Sequence, residues 1–186
     1  MNPGMNEPST FHSEVQAGER RVFERVYREH KDRLLTLAAS LTGDRHTAED
    51  VVHDVFRALI KDGAGLRENS NVPAYLTVCT RNRAIDVARK RRTRNLAAAS
   101  EAGSQLTVDD PVERATEAEE TVAVLHAVNE LPPEQREVLS LHVWGDLPFE
   151  EIGRLQGISK GAAYARYRKA LEALRTKLRS DSDGRA

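Results

Sequence analysis

One cysteine, Cys79, occurs among the 186 residues, which excludes an internal disulfide and any cysteine-rich zinc site. No stretch approaches the roughly eighteen consecutive apolar residues that a membrane-spanning helix needs. The N-terminal "MNPGMNEPSTFHSEVQ" has neither a basic start nor an apolar core, so it does not read as a signal peptide. It reads as a disordered leader over 1–13, with a cytoplasmic location expected. Strand-like alternation does not persist beyond a few residues. The histidines, His12, His30, His46, His53, His126 and His142, are scattered, with no HExxH and no paired spacing. Cys79 falls on an expected core face, where a small buried hydrophobe is the ordinary reading. The "GAG" near residue 64 has no strand before it and no third glycine after it, so it is not a phosphate-binding fingerprint. No enzyme inventory remains, and neither a cofactor nor a metal site is expected.

What the chain does have is charge, 31% of its residues, sorted along its length although the net charge is only −1. Arg81 to Arg94 holds seven basic residues and one acid. Glu101 to Glu120 holds seven acids and one base, and Lys160 to Arg179 again holds seven bases and one acid. Two basic blocks around an acidic one say more about partners than the net charge does.

Helical spacing dominates, predicting helices near 14–29, 31–41, 47–61, 72–93, 119–130, 134–144, 148–156 and 160–179. Asp44 or Thr47 can cap the third of these, with Glu49 and Asp50 in its first turn. The stretch 95–118 is acidic and short of large apolar groups, so it cannot fold alone. The chain is therefore expected to be all-α, with helical domains at 14–94 and 119–180, a flexible acidic linker at 95–118 and a disordered tail at 181–186.

On a helical wheel Val72, Tyr75, Leu76, Val78, Cys79 and Ile85 share one arc, read as the core face. Asn82 and Asp86 fall within it, either as structural partners of an arginine or a helix end, or as the border of a pocket for an unstacked base. Thr77, Arg81, Ala84, Ala88, Arg91 and Arg92 form the opposite arc: arginines and small residues, suited to close approach to phosphates. The C-terminal block has helix-turn-helix form. Val138, Leu139, Leu141 and Val143 mark a first helix. Pro148 suits the start of the next, which buries Ile152 and Leu155. Gly157 makes the turn and Ser159 caps the last helix. In that helix Ala163, Tyr167, Leu171, Leu174 and Leu178 are expected on the core side. Gly161, Ala162, Ala165, Arg166, Arg168 and Lys169 point away, as in a helix that enters a major groove.

Taken together, "HTAEDVVHDVFRAL", "VPAYLTVCTRNRAIDVARKRR" and "ELPPEQREVLSLHVWGDLPFEEIGRLQGISKGAAYARYRKALEALRTKL" resemble an extracytoplasmic-function (ECF) sigma factor of the bacterial sigma-70 family. The likeness covers about 20–94 and 122–179. It implies a non-enzymatic initiation factor that binds core RNA polymerase, through the β′ clamp helices and the β flap, and directs it to promoter DNA. On that resemblance Asp50, His53, Asp54 and Arg57 form the polymerase-binding surface. Asn69, Ser70, Asn71, Tyr75, Arg81, Asn82, Asp86, Arg89, Arg91 and Arg92 melt and hold the −10 element, splayed bases resting on aromatic and cationic groups. Ser159, Lys160, Gly161, Ala162, Ala165, Arg166, Arg168 and Lys169 dock near −35.

Several positions depart from the family pattern. His53 stands for Gln, Asp54 for Glu and Tyr75 for Trp. The usual "GTVKSR" is "GAAYAR", with Ala162, Ala163, Tyr164 and Ala165 in place of Thr, Val, Lys and Ser. Gly153 replaces an alanine, at a cost of about 1 kcal/mol in helix propensity. The remaining cations of the last helix would hold phosphates more than read bases. A second reading follows: a sigma-like regulator that binds polymerase or an anti-sigma partner with little −35 recognition. A stand-alone helix-turn-helix repressor is a third, disfavoured by the first-domain resemblance.

Overall fold

The computed structural model describes residues 9–62, 71–101 and 116–183, with side chains placed for 21–61, 71–94 and 123–179. Among the described residues every regular element is a helix: α1 (Ser9–Thr42), α2 (Arg45–Asp62), α3 (Val72–Glu101), α4 (Thr116–Asn129), α5 (Pro133–Val143), α6 (Phe149–Gln156) and α7 (Lys160–Asp183).

Local chemistry sets most boundaries. Gly43, at φ 76°, ends α1. Asp44 then caps α2, its carboxylate accepting from the Thr47 amide at 2.9 Å and from the Thr47 hydroxyl. The Asn71 side chain accepts from the Ala74 amide at 3.2 Å and opens α3. Pro132 and Pro133 start α5, where a missing N–H costs nothing. Pro148 precedes α6, which carries Glu150 and Glu151 in its first turn. Gly157, left-handed at φ 67°, closes α6, and the Ser159 hydroxyl accepts from the Ala162 amide at 3.1 Å to cap α7.

Two expected helices, 14–29 and 31–41, are one. Nothing at Glu29, His30 or Lys31 breaks the backbone, and His30 is buried within α1. The helix also begins at Ser9, inside the stretch read as a leader, and residues 1–8 lie outside the described set. At the other end α7 continues to Asp183. The acidic stretch is shorter than expected at both ends: α3 runs on to Glu101 and α4 starts at Thr116.

α1, α2 and α3 pack around Leu34, Leu37, Val51, Phe56, Leu59 and Leu76, all fully buried. Phe56 takes the edges or faces of Phe23 and Tyr27 at 5.9 and 4.7 Å. A small second cluster, Val128, Leu131, Leu139 and Ala170, ties α4 and α5 to α7. Val138, Leu141, Leu147, Ile152 and Ala163 instead join the core of α1–α3, so the later helices do not have a fully separate interior.

Three details of the expected core are corrected. On α3 the buried row is Leu76, Thr77, Thr80 and Ala84, each at 0% exposure, whereas Asn82 and Asp86 are exposed. Val72, Tyr75, Val78, Cys79 and Ile85 are only half-buried. The helix lies with its small and threonine side chains inward because these permit close approach on two sides. A reading weighted by hydrophobicity is drawn to valine and isoleucine instead. On α7, Leu171 and Leu178 are exposed and Ala170 takes the inner position. Val143, at the end of α5, is exposed as well.

Candidate nucleic-acid interface

The exposed face of α3 carries Asn82, Asp86 and Arg89 in succession, one helical turn apart, with Lys90, Arg92 and Arg94 exposed beyond them. Among the described residues these four cations have no acidic partner. Tyr75 lies half-buried one turn before Val78, on the same side as Asn82. The neighbouring cations are used differently. Arg83 donates to Asp54 on α2 at 2.6 Å. Arg91 stands 3.8 Å from Asp44, the cap of α2. Arg81 donates through Nε and Nη2 to Glu137 on α5, at 2.7 and 2.5 Å, and through Nη1 to Asn82 at 2.9 Å.

The arc Thr77, Arg81, Ala84, Ala88, Arg91 and Arg92 is therefore not an open nucleic-acid face. Thr77 and Ala84 are fully buried, and the Thr77 hydroxyl donates to the Gly145 carbonyl at 3.1 Å. Of that arc only Arg92 is fully exposed. Conversely, Asn82 and Asp86, placed by the wheel on the core side, face outward with Arg89. Asn71 is exposed and serves as a helix cap; Asn69 and Ser70 lie outside the described residues.

On α2, Asp50, His53 and Arg57 are exposed and Asp54 is half-buried. His53 Nδ1 lies 3.2 Å from Arg57, and Asp54 sits between Arg57 and Arg83. One carboxylate thus ties the α2 surface to the exposed row of α3. Asp44 stabilises the corner above it. Partial burial disfavours the Asp44 charge. The Thr47 hydroxyl, the amides of Thr47 and His46, and Arg91 outweigh that and hold the carboxyl below its usual range.

On α7, Lys160, Gly161, Ala165, Arg168 and Lys169 are exposed, with Ala162 half-buried and Ser159 committed to the cap. Arg166 is held inward by Glu134 at 2.7 Å and Gln156 at 2.9 Å. It fastens α7 to the start of α5 and the end of α6. Arg168 lies 3.5 Å from Glu172 along its own helix. Sequence reasoning passed over Tyr164 as a contact residue. It is half-exposed at 51%, and its ring is braced edge-to-face by Phe149 at 5.4 Å. The signal was available: an aromatic between Lys160 and Arg168, one turn from each, on the side assigned to DNA. Gly153 was read as a cost to helix propensity. A Cβ there would stand 2.7 Å from the Ile158 carbonyl, so glycine is what lets the α6–α7 turn close.

Comparisons with known proteins match two separate parts of the chain. A model of "Sigma-70 region 2" matches residues 26–94 and one of "Sigma-70, region 4" matches 121–174. Relatives include the ECF RNA polymerase sigma factor BldN of Streptomyces coelicolor, 28% identical over 170 residues, covering 90% of this chain. The ECF RNA polymerase sigma factor SigE of Mycolicibacterium smegmatis is 28% identical over 162 residues, covering 86% of this chain. The chain spans 64% and 63% of the lengths of these two relatives. In fold it is similar to the sigma factor RpoE of Bartonella quintana, solved in complex with the anti-sigma factor NepR. That likeness has a TM-score of 0.66 at 23% identity, over 86% of this chain and 98% of the other.

Proposed function

The chain belongs to the sigma-70 family, and on that premise we propose that it is a sigma factor: it binds core RNA polymerase and directs initiation at promoters whose −10 element it melts and holds. The observation that carries this reading is the outward row Asn82, Asp86 and Arg89 on α3, continued by Lys90 and Arg92. Amide, carboxylate and guanidinium side by side match the edges and phosphates of a splayed strand. Tyr75 adds an aromatic surface beside them. Asp50, His53, Asp54 and Arg57 on α2 supply the surface for the β′ clamp helices, and the Asp54–Arg83 pair holds that surface in register with the DNA row. α7 docks near −35, and the later helices meet the β flap. Lys160, Arg168 and Lys169 hold phosphates there, with Tyr164 the side chain best placed among bases; Arg166 acts within the protein. The work of such a factor is cytoplasmic and requires no catalysis of its own. Among the described residues no helix is long and apolar enough to cross a membrane.

The alternative, a sigma-like regulator that engages polymerase or an anti-sigma factor with little −35 recognition, draws support from the alanines at 162, 163 and 165. Run-off transcription with bacterial core polymerase on a library of random upstream sequences separates the two. Protein-dependent transcripts sharing a −10-like motif support the sigma reading, and a paired −35-like motif adds base readout by α7. Stable polymerase binding without transcripts favours the regulator.

A further inference from the structure

The start of α7, from Lys160 to Lys169, contains no amide and no carboxylate side chain. Adenine is ordinarily read in the major groove by Asn or Gln, and cytosine by Asp or Glu, so neither base has its usual reader there. Gln156 and Glu134, which adjoin this helix, are both occupied by Arg166, at 2.9 and 2.7 Å. The Ser159 oxygen is occupied by the Ala162 amide. What projects instead is Tyr164, one turn after Lys160 and one turn before Arg168, with 51% of its surface open. Its ring does not hang free. Phe149 on α6 meets it edge-to-face at 5.4 Å. Phe149 is itself stacked on His142 of α5 at 4.2 Å and tilted against Tyr167 at 5.2 Å. Three helices thus fix where the Tyr164 ring points, so little of its freedom is left to lose on binding. On the preceding turn, a Cβ at Gly161 would meet, among the described residues, only the Ser159 hydroxyl, at 4.0 Å. Packing within the protein does not require glycine there. The missing side chain lowers the helix surface beside Tyr164 and lets the ring approach a groove floor.

We propose that Tyr164 is the specificity-determining residue of α7 and that it reads thymine: its ring packs on the C5 methyl of a thymine in the major groove near −35, while Lys160 and Arg168 hold phosphates on either side. The inference rests on the proposed sigma function for the presence of DNA, and adds to it the base that the helix selects. Thymine is the one base distinguished in the major groove by an apolar group, which suits a surface that offers a ring and almost no hydrogen bonds. The pair that Arg168 makes with Glu172 on its own helix is exposed and yields readily to a phosphate. The reading is apolar, so its size is that of burying one methyl group, about fourfold in affinity.

The test takes the promoters returned by the run-off selection and the full chain with core polymerase. Each thymine of the −35 segment is replaced singly by deoxyuridine, which removes the methyl and nothing else, and the affinity of the promoter complex is measured. At one position the replacement should weaken the complex about fourfold. Tyr164→Phe should keep that sensitivity, because the ring remains. Tyr164→Ala should bind the two duplexes equally, while deoxyuridine in the −10 segment should give the same ratio with and without the ring. A role of Tyr164 in folding alone would not single out one methyl. Undiminished sensitivity in Tyr164→Ala overturns the inference, as does sensitivity at no position or a −35 segment that shares no thymine. Insensitivity in Tyr164→Phe overturns it too, by assigning the reading to the hydroxyl. Absence of any run-off product is instead the failure of the sigma reading, and the inference falls with it.

Discussion

α3 and α7 are both long, both basic, and each divides its cations between neighbouring helices and solvent in its own order. In α3 the arginines of the first half, Arg81 and Arg83, are spent on Glu137 and Asp54, and the free cations cluster late, at Arg89, Lys90, Arg92 and Arg94. In α7 Arg166 and Lys177 are paired with Glu134 and Glu130 on neighbouring elements and Arg168 meets only Glu172 on its own helix, whereas Lys160 and Lys169 are exposed with no acidic partner among the described residues. A basic block is thus a mixture of fasteners and ligand contacts. The sorting follows from which neighbouring helix offers a carboxylate. In α7 the free Lys160 stands at the N-terminal end, where a recognition helix meets base edges, and Lys169 follows along the helix. In α3 the free cations follow Asn82 and Asp86, where a strand already splayed would continue along the helix.

The largest expected effect tests how α7 is mounted. Gly153→Ala should destabilise the protein by about 1–3 kcal/mol, because crowding against the Ile158 carbonyl outweighs the better helix propensity of alanine. Thermal unfolding measures it, and a neutral or stabilising result would show that the turn relaxes freely. Next comes Arg166→Ala against Lys169→Ala. The first should lower stability by about 1 kcal/mol, since it removes a charge-assisted bond to Glu134 and one to Gln156, and should leave the salt dependence of promoter binding unaltered. The second should leave stability alone and reduce the salt slope by about 0.9. An exchange of these phenotypes would reverse the sorting of α7.

This division was only partly legible in the sequence. The all-α class and the capping of α2 and α7 follow from residues that act locally, such as Asp44, Pro148, Gly157 and Ser159. The inward side of α3 did not follow. Thr77, Thr80 and Ala84 are weak hydrophobic signals, and they are buried because two different helices approach them. Glu137 lies 56 residues from Arg81, and nothing in the local pattern of either announces the pair. Leu171 and Leu178 misled in the other sense: their spacing fits a core stripe, but Ala170 occupies the inner position. Within "RNRAID" and "HTAED" the buried Ala84 and Ala48 sit beside the exposed Asn82, Asp86, Glu49 and Asp50, so each motif mixes packing residues with residues open to a ligand.

The smallest effect is in acid. Burial lowers the His30 imidazole below its ordinary 6.5, so the unfolded chain takes up that proton first. Stability present above that value should therefore decline as the pH falls through it toward the lower folded value. The depressed Asp44 carboxyl adds stability present above the ordinary carboxylate range and lost as the pH falls through its folded value. Asp44→Ala should cost about 1 kcal/mol near neutrality, as loss of a helix cap does, and should flatten the second, more acidic decline. Chemical denaturation across pH checks both windows; an acid limb equally steep in Asp44→Ala would assign it elsewhere.

The most direct measurement compares Arg89→Ala with Arg83→Ala in promoter complexes formed with core polymerase, across a series of salt concentrations. The sorting of α3 predicts that Arg89→Ala lowers the slope of log affinity against log salt by about 0.9 while thermal stability holds. Arg83→Ala should keep the slope and lose stability instead, because its partner is Asp54. If Arg83→Ala takes the slope and Arg89→Ala leaves it untouched, the outward row of α3 is not the DNA contact.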